Sequence, residues 1–243
     1  MRDGRVIIVG AGQAGVNCAL ALREYGLAGD VTLLSDEPHE PYDRPPLSKE
    51  LGGAPSPIVK REELTEKSIV LRLGTAASAI DRASKTLTLN DGTTLPYDTL
   101  VLATGGGARV LPSLPPDGRR VFVLRTLDDA RAIDRASQVA RNALVLGGGW
   151  LGLETAAALR GRGCEVTLLE AAERLCARSV PAEISAYLHD LHNSHGVRII
   201  TGTAASITAS PDGITAQWNG TSAMFDMAVV AIGLTPDDAL ARR

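Results

Sequence analysis

Residues 143–154 read ALVLGGGWLGLE, and this stretch decides the fold. An apolar run leads into three consecutive glycines, after which a helix-like segment begins. Gly147, Gly149 and Gly152 form a G-x-G-x-x-G pattern, whose glycines allow a tight turn, a close backbone approach to a pyrophosphate and close packing of helix on strand. The pyrophosphate then lies at the helix N-terminus, where unpaired N–H groups and the helix dipole favour an anion.

An acidic residue completes the pattern. Residues 165–169 predict the next strand, and Glu170 follows that strand directly. An acid roughly 20 residues beyond the glycines is where a dinucleotide-binding unit holds a ribose hydroxyl. The stretch therefore predicts a complete nucleotide-binding unit.

The same pattern occurs near the start of the chain. An apolar run at residues 5–9 predicts a buried parallel strand, and it is followed by GAGQAG with glycines at Gly10, Gly12 and Gly15. A single G-x-G-x-x-G is a weak signal, whereas strand, glycines, helix, strand and acid in this order is a strong one.

The first copy continues as the second one does. Residues 14–25 predict a helix that ends at Gly26, and residues 31–34 predict a strand. Asp36 or Glu37 is then placed to hold a ribose. Two copies in one chain indicate two dinucleotides.

Composition narrows the class of protein. A chain of 243 residues allows one to two domains, and 44% hydrophobic with 22% charged residues is ordinary for a soluble globular protein. The net charge of −3 gives no electrostatic case for nucleic acid. Apolar runs fall short of the ~18 residues of a membrane span, and the N-terminus lacks signal-peptide anatomy. We therefore expect a cytoplasmic protein that binds neither nucleic acid nor membrane.

The cysteines and histidines suggest no redox or metal chemistry. Cys18, Cys164 and Cys176 form no C-x-x-C pair, so a local redox disulfide is not expected, and they are interpreted as small buried or semi-buried residues. The three histidines near residue 190 are interpreted as part of a polar helix end, and no metal site is predicted.

The proline-dense stretch at residues 38–46 should be stiff, because proline fixes φ and biases the residue before it towards extended geometry. That stiffness would pre-position Arg44, although a plain surface loop explains the stretch equally well. Ser48 is a candidate N-cap for a helix that begins there. Farther along, residues 111–118 form the best linker candidate, and residues 225–232 predict the last strand.

Six segments together resemble a known family. They are GAGQAG, PYDRPPLSK, LPYDTLVLATGG, LRTLDDA, GGGWLGLE and AIGLTPDD. In this order they are similar to the FAD-dependent NADH:ferredoxin reductases of bacterial aromatic-ring-hydroxylating dioxygenases and some cytochrome P450 systems. These proteins are relatives of rubredoxin reductases and, more distantly, of glutathione reductase. The resemblance covers essentially the whole chain, and R-P-P-L-S-K is its most specific part.

The resemblance implies an α/β fold with two Rossmann-like dinucleotide-binding domains of the glutathione-reductase type, the first of them incomplete. Residues 1–113 would form the N-terminal part of an FAD-binding domain and residues 114–236 an NAD-binding domain. Residues 237–243 would begin the return to the FAD domain.

The resemblance also assigns FAD contacts. The turn under the FAD pyrophosphate corresponds to Gly10, Gly12, Ala14 and Gly15, and the acid on the adenosine ribose corresponds to Asp36. The flavin-side basic residues correspond to Arg44 and Lys49, and a backbone contact to the adenine edge corresponds to Ala77. Thr104 and Gly105 belong to the ATG turn, and Arg125 in LRT corresponds to a further FAD contact. An ammonium group at Lys49 near flavin N5 would stabilise negative charge on the reduced flavin.

On the NAD(H) side, the resemblance selects Gly147, Gly149, Gly152, Glu170 and Gly233. A carboxylate at Glu170 favours NADH over NADPH, because it repels a 2′-phosphate. Arg174 and Arg178 lie nearby in the sequence and weaken that preference.

Three residues are implied in catalysis. Glu154 corresponds to a family glutamate that pairs with the flavin-side lysine, here Lys49; the alternative is an acid that merely favours the first turn of its helix. Trp150 stands where an aromatic side chain would cover the flavin until NADH displaces it; the alternative is a tryptophan packed in the core.

The chain departs from the family in one respect. The family continues beyond the position of Arg243, with a strand that returns to the FAD domain and a C-terminal domain that faces the ferredoxin. The resemblance therefore implies a truncated chain, an open edge on the first sheet, and a completing polypeptide or self-association at that edge.

The implied function is a flavoprotein oxidoreductase that passes electrons from NADH through FAD to a ferredoxin or rubredoxin feeding an oxygenase in aromatic hydrocarbon catabolism. Two alternatives stay open. One is a non-catalytic NAD(H)/FAD-binding module, and the other is a related NADH oxidase or apoptosis-inducing-factor-like reductase with another acceptor.

Overall fold

The computed structural model describes residues 3–242, which form two compact units. The first unit comprises Met1–Asp43, Pro55–Gly106 and Pro236–Arg243, and the second comprises Arg44–Ala54 and Gly107–Thr235. Within the described part of the chain, no helix is long and apolar enough to cross a membrane.

The first unit is built on a parallel sheet with the strand order β3-β2-β1-β7. Its elements are β1 (Val6–Val9), α1 (Gln13–Glu24), β2 (Val31–Leu34), α2 (Arg61–Glu66), β3 (Ile69–Arg72), β4 (Ala77–Asp81), β5 (Thr86–Leu89), β6 (Thr94–Pro96) and β7 (Thr99–Leu102). Strands β4, β5 and β6 form an antiparallel sheet of their own. The chain leaves this unit within β8 (Gly106–Ala108).

The second unit is built on a five-stranded parallel sheet with the order β12-β11-β10-β16-β9. Its elements are β9 (Val121–Val123), α3 (Leu127–Ser137), β10 (Asn142–Leu146), α4 (Trp150–Gly161), β11 (Glu165–Leu169), α5 (Ala182–Ser194), β12 (Val197–Ile200), β13 (Ser206–Ala209), β14 (Ile214–Trp218), β15 (Thr221–Phe225) and β16 (Met227–Val230). The chain leaves it within β17 (Leu234–Pro236).

The two glycine patterns produce the same local structure. Gly10 and Gly147 have φ values of +106° and +107°, which glycine adopts without strain. A Cβ on Gly15 would overlap the carbonyl oxygen of Gly10, and one on Gly152 would overlap that of Gly147. Each helix therefore approaches the end of its strand as closely as the backbone allows, and the predicted pair of Rossmann-like units is confirmed.

The units share one plan but differ at one edge. Each has a glycine turn, a helix, two further parallel strands and a three-stranded antiparallel sheet before its last strand, which is β7 in the first unit and β16 in the second. Strand β9 pairs with the outer side of β16. Within residues 3–242, β7 pairs with β1 alone, and Leu102 of β7 is 38% exposed. This edge is where we predicted an open sheet.

The segment Arg44–Ala54 belongs to the second unit, although it interrupts the sequence of the first. Pro45–Ser48 forms a 3-10 turn, which packs against α3 and α4. The prediction of a helix starting at Ser48 was therefore wrong, since Ser48 ends a turn whose geometry the two prolines favour. Arg162, at the end of α4, donates to Leu51 O and forms an ion pair with Asp134.

The unit boundaries differ from the predicted boundary at residue 113. The chain enters the second unit at Gly107, and Leu114 in the predicted linker is buried in that unit's core. The predicted strand at 225–232 is divided, because Asp226 separates β15 from β16 and its carboxylate accepts from the backbone N–H groups of Arg141 and Asn142. Thr126 caps α3 in a capping box with Asp129.

We expect Gly152→Ala to lower the free energy of unfolding by about 1–3 kcal/mol, because the added Cβ has only backbone to displace. Gly161→Ala is the matched control, since it lies in the same helix and its Cβ would meet nothing within 4 Å. The control should leave stability unchanged or raise it by up to about 1 kcal/mol. Urea denaturation measures both variants, and equal midpoints would contradict the packing argument.

We expect Gly52→Ala to loosen Arg44–Ala54. Gly52 has a φ of +74°, which strains the backbone of an alanine at this position, and an added Cβ would overlap the Asp134 carboxylate. Both the backbone strain and the displacement of Asp134 would destabilise the segment. Gly74→Ala is the control, because Gly74 has a φ of +61° and open space around its Cβ. Hydrogen exchange should show faster exchange of the Lys49 and Glu50 amides in Gly52→Ala only. Unchanged exchange would show that the segment does not depend on this contact.

Candidate functional site

The second unit contains a cavity of about 600 Å³ at the carboxyl ends of β10, β11 and β16. In open parallel sheets this is the edge at which ligands bind. The cavity is lined by most of the residues that we assigned to NAD(H) and by the tryptophan beside them, namely Gly147, Gly149, Trp150, Glu170 and Gly233. Gly152 does not line it, since its place is against the Gly147 carbonyl.

The mouth of the glycine turn is suited to a phosphate. Gly149 is the N-cap of α4 and provides no side-chain hydrogen bond to the first turn, so the first N–H groups of the helix are available to an anion. A Cβ on Gly149 would meet nothing within 4 Å, so the space in front of this turn is open. The geometry fits a diphosphate, and glycine at residue 149 keeps that space open.

The Glu170 carboxylate is held in a fixed direction. Gly148 N–H donates to Oε2, and Ala172 N–H donates to Oε1 at 2.7 Å. Each carboxylate oxygen can still accept a second hydrogen bond. Glu170 can therefore accept from two neighbouring hydroxyl groups without reorienting.

The two nearby arginines differ in their surroundings. Arg174 donates to the carbonyl oxygens of Val180 and Ala177 and to Ser185 Oγ, at 2.7–2.8 Å, so its guanidinium shapes the loop after β11. Arg178 is exposed and lines the cavity. Of the two, Arg178 is thus the one placed to meet a nucleotide.

Trp150 is half exposed at the start of α4, where it lines the cavity. The alternative of a packed core tryptophan is therefore wrong. An exposed aromatic ring at the edge of a cavity offers a flat surface for stacking.

Lys49 and Glu154 lie close together in the second unit, with Nζ and Oε1 3.8 Å apart. Glu154 is the fifth residue of α4, and the first turn of this helix contains no acid. The alternative that Glu154 merely complements the helix dipole is therefore wrong. Its second oxygen, Oε2, accepts from Ser48 Oγ at 2.5 Å.

Arg44 and Arg125 also meet in the second unit. Arg44 Nη1 donates to Arg125 O at 2.7 Å, and Arg125 N–H donates to the Asp129 carboxylate at 2.9 Å. Three of the residues assigned to FAD, namely Arg44, Lys49 and Arg125, therefore belong to the unit that carries the NAD(H) residues.

The remaining assigned FAD residues belong to the first unit. A cavity of about 90 Å³ at the ends of β1 and β2 is lined by Gly10, Asp36, Ala77 and Thr104. Asp36 is exposed at this cavity, whereas the Glu37 carboxylate accepts from the Tyr42 hydroxyl at 2.5 Å. Of the two candidate ribose acids, Asp36 is the one that faces the cavity.

The first glycine turn has the same open mouth as the second. Gly12 is the N-cap of α1 without a side-chain hydrogen bond, and its Cβ would meet nothing within 4 Å. Ala14 lies exposed in the first turn of α1. The backbone here fits a diphosphate for the same reason as at Gly149.

Thr104 and Gly105 are engaged with the last residues of the described chain. Thr104 Oγ1 donates to Asp237 O, and Asp237 N–H donates to Gly105 O at 3.0 Å. Asp237 and Leu240 line the same cavity as Asp36. The sequence did not indicate that residues 237–240 border this site.

All three cysteines are free thiols, and Cys164 and Cys176 are buried. Burial, together with the negative charge of Glu170, raises the pKa of the Cys176 thiol. Burial, with Asp226 nearby, does the same for Cys164. Because the thiolate is the reactive form, these two groups are poor nucleophiles. Cys176 instead supports the glycine loop, since its N–H donates to Gly148 O at 2.9 Å.

Two contributions to the sites were missed from the sequence. Ser179 and Thr203 line the larger cavity, and no pattern of spacing marks either residue. Ser48 contacts Glu154 across 106 residues of sequence. R-P-P-L-S-K drew attention to this stretch, but local reasoning gave Ser48 the role of a helix cap.

Comparison with known proteins agrees with this geometry. In sequence, the chain is 41% identical over 237 residues to the ferredoxin–NAD(+) reductase component of the p-cumate 2,3-dioxygenase system of Pseudomonas putida, which covers 96% of this chain and 59% of that protein. It is 36% identical over 248 residues to rhodocoxin reductase of Rhodococcus erythropolis, which covers 97% of this chain and 57% of that protein.

In structure, the chain resembles the reductase in a covalent putidaredoxin reductase–putidaredoxin complex, with a TM-score of 0.92 and 37% identity over 100% of this chain and 61% of that one. The chain thus spans about three fifths of the length of the relatives it matches. The family of pyridine nucleotide-disulphide oxidoreductases matches residues 4–243. With two glycine turns of the dinucleotide-binding kind and a family match over residues 4–243, the chain belongs to the pyridine nucleotide-disulphide oxidoreductase family.

Proposed function

We propose that this chain is the nucleotide-binding part of a flavoprotein oxidoreductase that passes electrons from NADH through FAD to a small iron–sulfur protein. The observation that carries the proposal is the pair of open glycine turns at Gly12 and Gly149, one in each unit, in a chain similar to ferredoxin reductases. One turn would hold each dinucleotide.

The second unit would bind NADH. Gly149 and the first N–H groups of α4 would hold the pyrophosphate, and Glu170 would accept from the adenosine ribose hydroxyls. The carboxylate supports NADH over NADPH. Arg174 does not weaken this preference, because its guanidinium is bonded to loop carbonyls and Ser185. Arg178 is exposed at the cavity, and it is the arginine that would weaken the preference.

The first unit would bind the adenosine and pyrophosphate end of FAD. Gly12 and α1 would hold the pyrophosphate, and Asp36 would accept from the ribose. FAD, when bound, takes up a hydride and gives up electrons one at a time.

The other assigned residues act by charge and position. Lys49 would contribute a positive charge that stabilises the reduced cofactor, and Glu154 would orient Lys49. Trp150 would lie flat beside the nicotinamide position. Gly233 would border the end of the cavity, with a backbone φ of +112° that glycine adopts without strain.

The acceptor is proposed from the relatives. The similar Pseudomonas putida protein is a ferredoxin reductase component of a dioxygenase system. We propose a ferredoxin or rubredoxin that feeds an oxygenase of aromatic hydrocarbon catabolism, in the cytoplasm where NADH is available.

A second candidate is a non-catalytic module that binds NAD(H) without retaining FAD. The observation in its favour is strand β7, which pairs with β1 alone within the described residues. A further polypeptide or a second copy of this chain would extend the sheet at this edge.

We expect the purified protein to be yellow, with flavin absorption that bleaches when NADH is added without oxygen and returns when oxidised ferredoxin is added. NADPH should bleach it far more slowly. A colourless protein that still binds NADH would favour the module. A yellow protein that reduces oxygen or cytochrome c but not ferredoxin would point to another acceptor.

We expect Gly149→Ala to lower NADH affinity at least about tenfold, because the methyl group fills the approach to the helix N–H groups. The free energy of unfolding should change by less than about 1 kcal/mol, since the methyl group meets no protein atom. Gly161→Ala, at the far end of α4, should leave NADH affinity unchanged. Calorimetric titration measures the affinities. If Gly149→Ala binds NADH as tightly as the wild-type protein, this turn is not the pyrophosphate site.

A further inference from the structure

The Glu154 carboxylate has two neighbours, one at each of its oxygens. Ser48 Oγ lies 2.5 Å from Oε2, whereas Lys49 Nζ lies 3.8 Å from Oε1. Hydrogen bonds from a hydroxyl to a carboxylate fall near 2.5–2.7 Å, and those from an ammonium fall near 2.7–2.9 Å. The first distance is a strong hydrogen bond, and the second is an ion pair without one.

The exposed fractions of the side chains make the two contacts differ further in strength. Ser48 is 2% exposed, whereas the side chains of Lys49 and Glu154 are 57% and 34% exposed. A shielded hydrogen bond to a charged group contributes more than an ion pair in water. The carboxylate is therefore oriented by the hydroxyl and only attracted by the ammonium.

The turn that carries both donors explains why they do not reach the carboxylate equally. Pro45 and Pro46 stiffen the turn, and Pro46 O accepts from the N–H groups of Lys49 and Glu50 at 3.0 and 2.9 Å. Ser48 Oγ also lies 3.3 Å from Pro45 O. The hydroxyl has a single proton, which it donates to the closer and charged acceptor, Glu154. Because the turn holds the backbone of Ser48 in place, it also fixes the direction of this hydrogen bond.

We propose that Ser48 is a positioning residue that holds Glu154 and thereby keeps Lys49 out of a close ion pair. The ammonium then stays beside a negative charge while its N–H donors remain available to a third, anionic group. That this group is the reduced flavin rests on the proposed function. The restraint itself is a property of the second unit alone.

The test is Ser48→Ala. Without the hydroxyl, the carboxylate should turn to Lys49, and a crystal structure should show the Nζ–Oε distance fall from 3.8 Å to about 2.8 Å. Lys49 lines a surface hollow with Glu154, so a reagent can reach its amine. Acetylation of Lys49 by acetic anhydride at fixed pH, followed by mass spectrometry, should slow roughly two- to fivefold, as expected for the strength of an exposed ion pair.

Two further variants make the result specific. Ser48→Thr restores a hydroxyl and should restore the wild-type acetylation rate. Ser137→Ala removes an equally buried hydroxyl that donates to Asp134 O in the same unit, and it should leave Lys49 unaffected. If Ser48→Ala does not fold, Ser48→Cys keeps the size of the side chain with a weak donor and carries the same expectation.

The proposal would be overturned if, in Ser48→Ala or in Ser48→Cys, the Lys49–Glu154 distance and the acetylation rate of Lys49 both stay at their wild-type values. Neither measurement requires FAD, NADH or an acceptor. A protein that lacks flavin would therefore disprove the oxidoreductase function without touching this inference, and the reverse also holds.

Discussion

The structure depends on how closely a helix approaches the end of a strand. At Gly15 and Gly152 the helix backbone lies against the carbonyl oxygen of the turn glycine, in a space that no side chain could share. This contact aims the first turn of each helix at the carboxyl edge of its sheet. The space beside Gly12 and Gly149 is open, and an anion there can reach the first N–H groups of each helix because the close contact has placed those groups at this edge.

The two units share the same order of secondary-structure elements, but they differ in the number of strands in their parallel sheets. Both place a three-stranded antiparallel sheet before the last parallel strand, but β9 covers the outer side of that strand in the second unit only. The second unit thus has a five-stranded sheet and a cavity of about 600 Å³. In the first unit, four strands pair, and the cavity at the corresponding edge is about 90 Å³ within the described residues.

The segment Arg44–Ala54 gives the second unit residues that the sequence would assign elsewhere. It lies between two stretches of the first unit, yet it packs on α3 and α4 through its 3-10 turn and the Arg162 contacts. Lys49 meets Glu154 because of this packing. A charged pair at a candidate site is thus built within a single compact unit.

The sequence by itself determined the glycine turns and the strands β2 and β11 with their ends, because each depends on backbone sterics or hydrogen bonds within a few residues. It also indicated the candidate pair Lys49 and Glu154 through a family resemblance. Only the tertiary structure decided the division of residues 225–232, the exposure of Trp150, the burial of Leu114 and the role of Ser48. These depend on partners far away in the chain, 106 residues for Ser48 and Glu154 and 85 for Asp226 and Arg141. Local pattern carries no information about which distant group will occupy the other side of a contact.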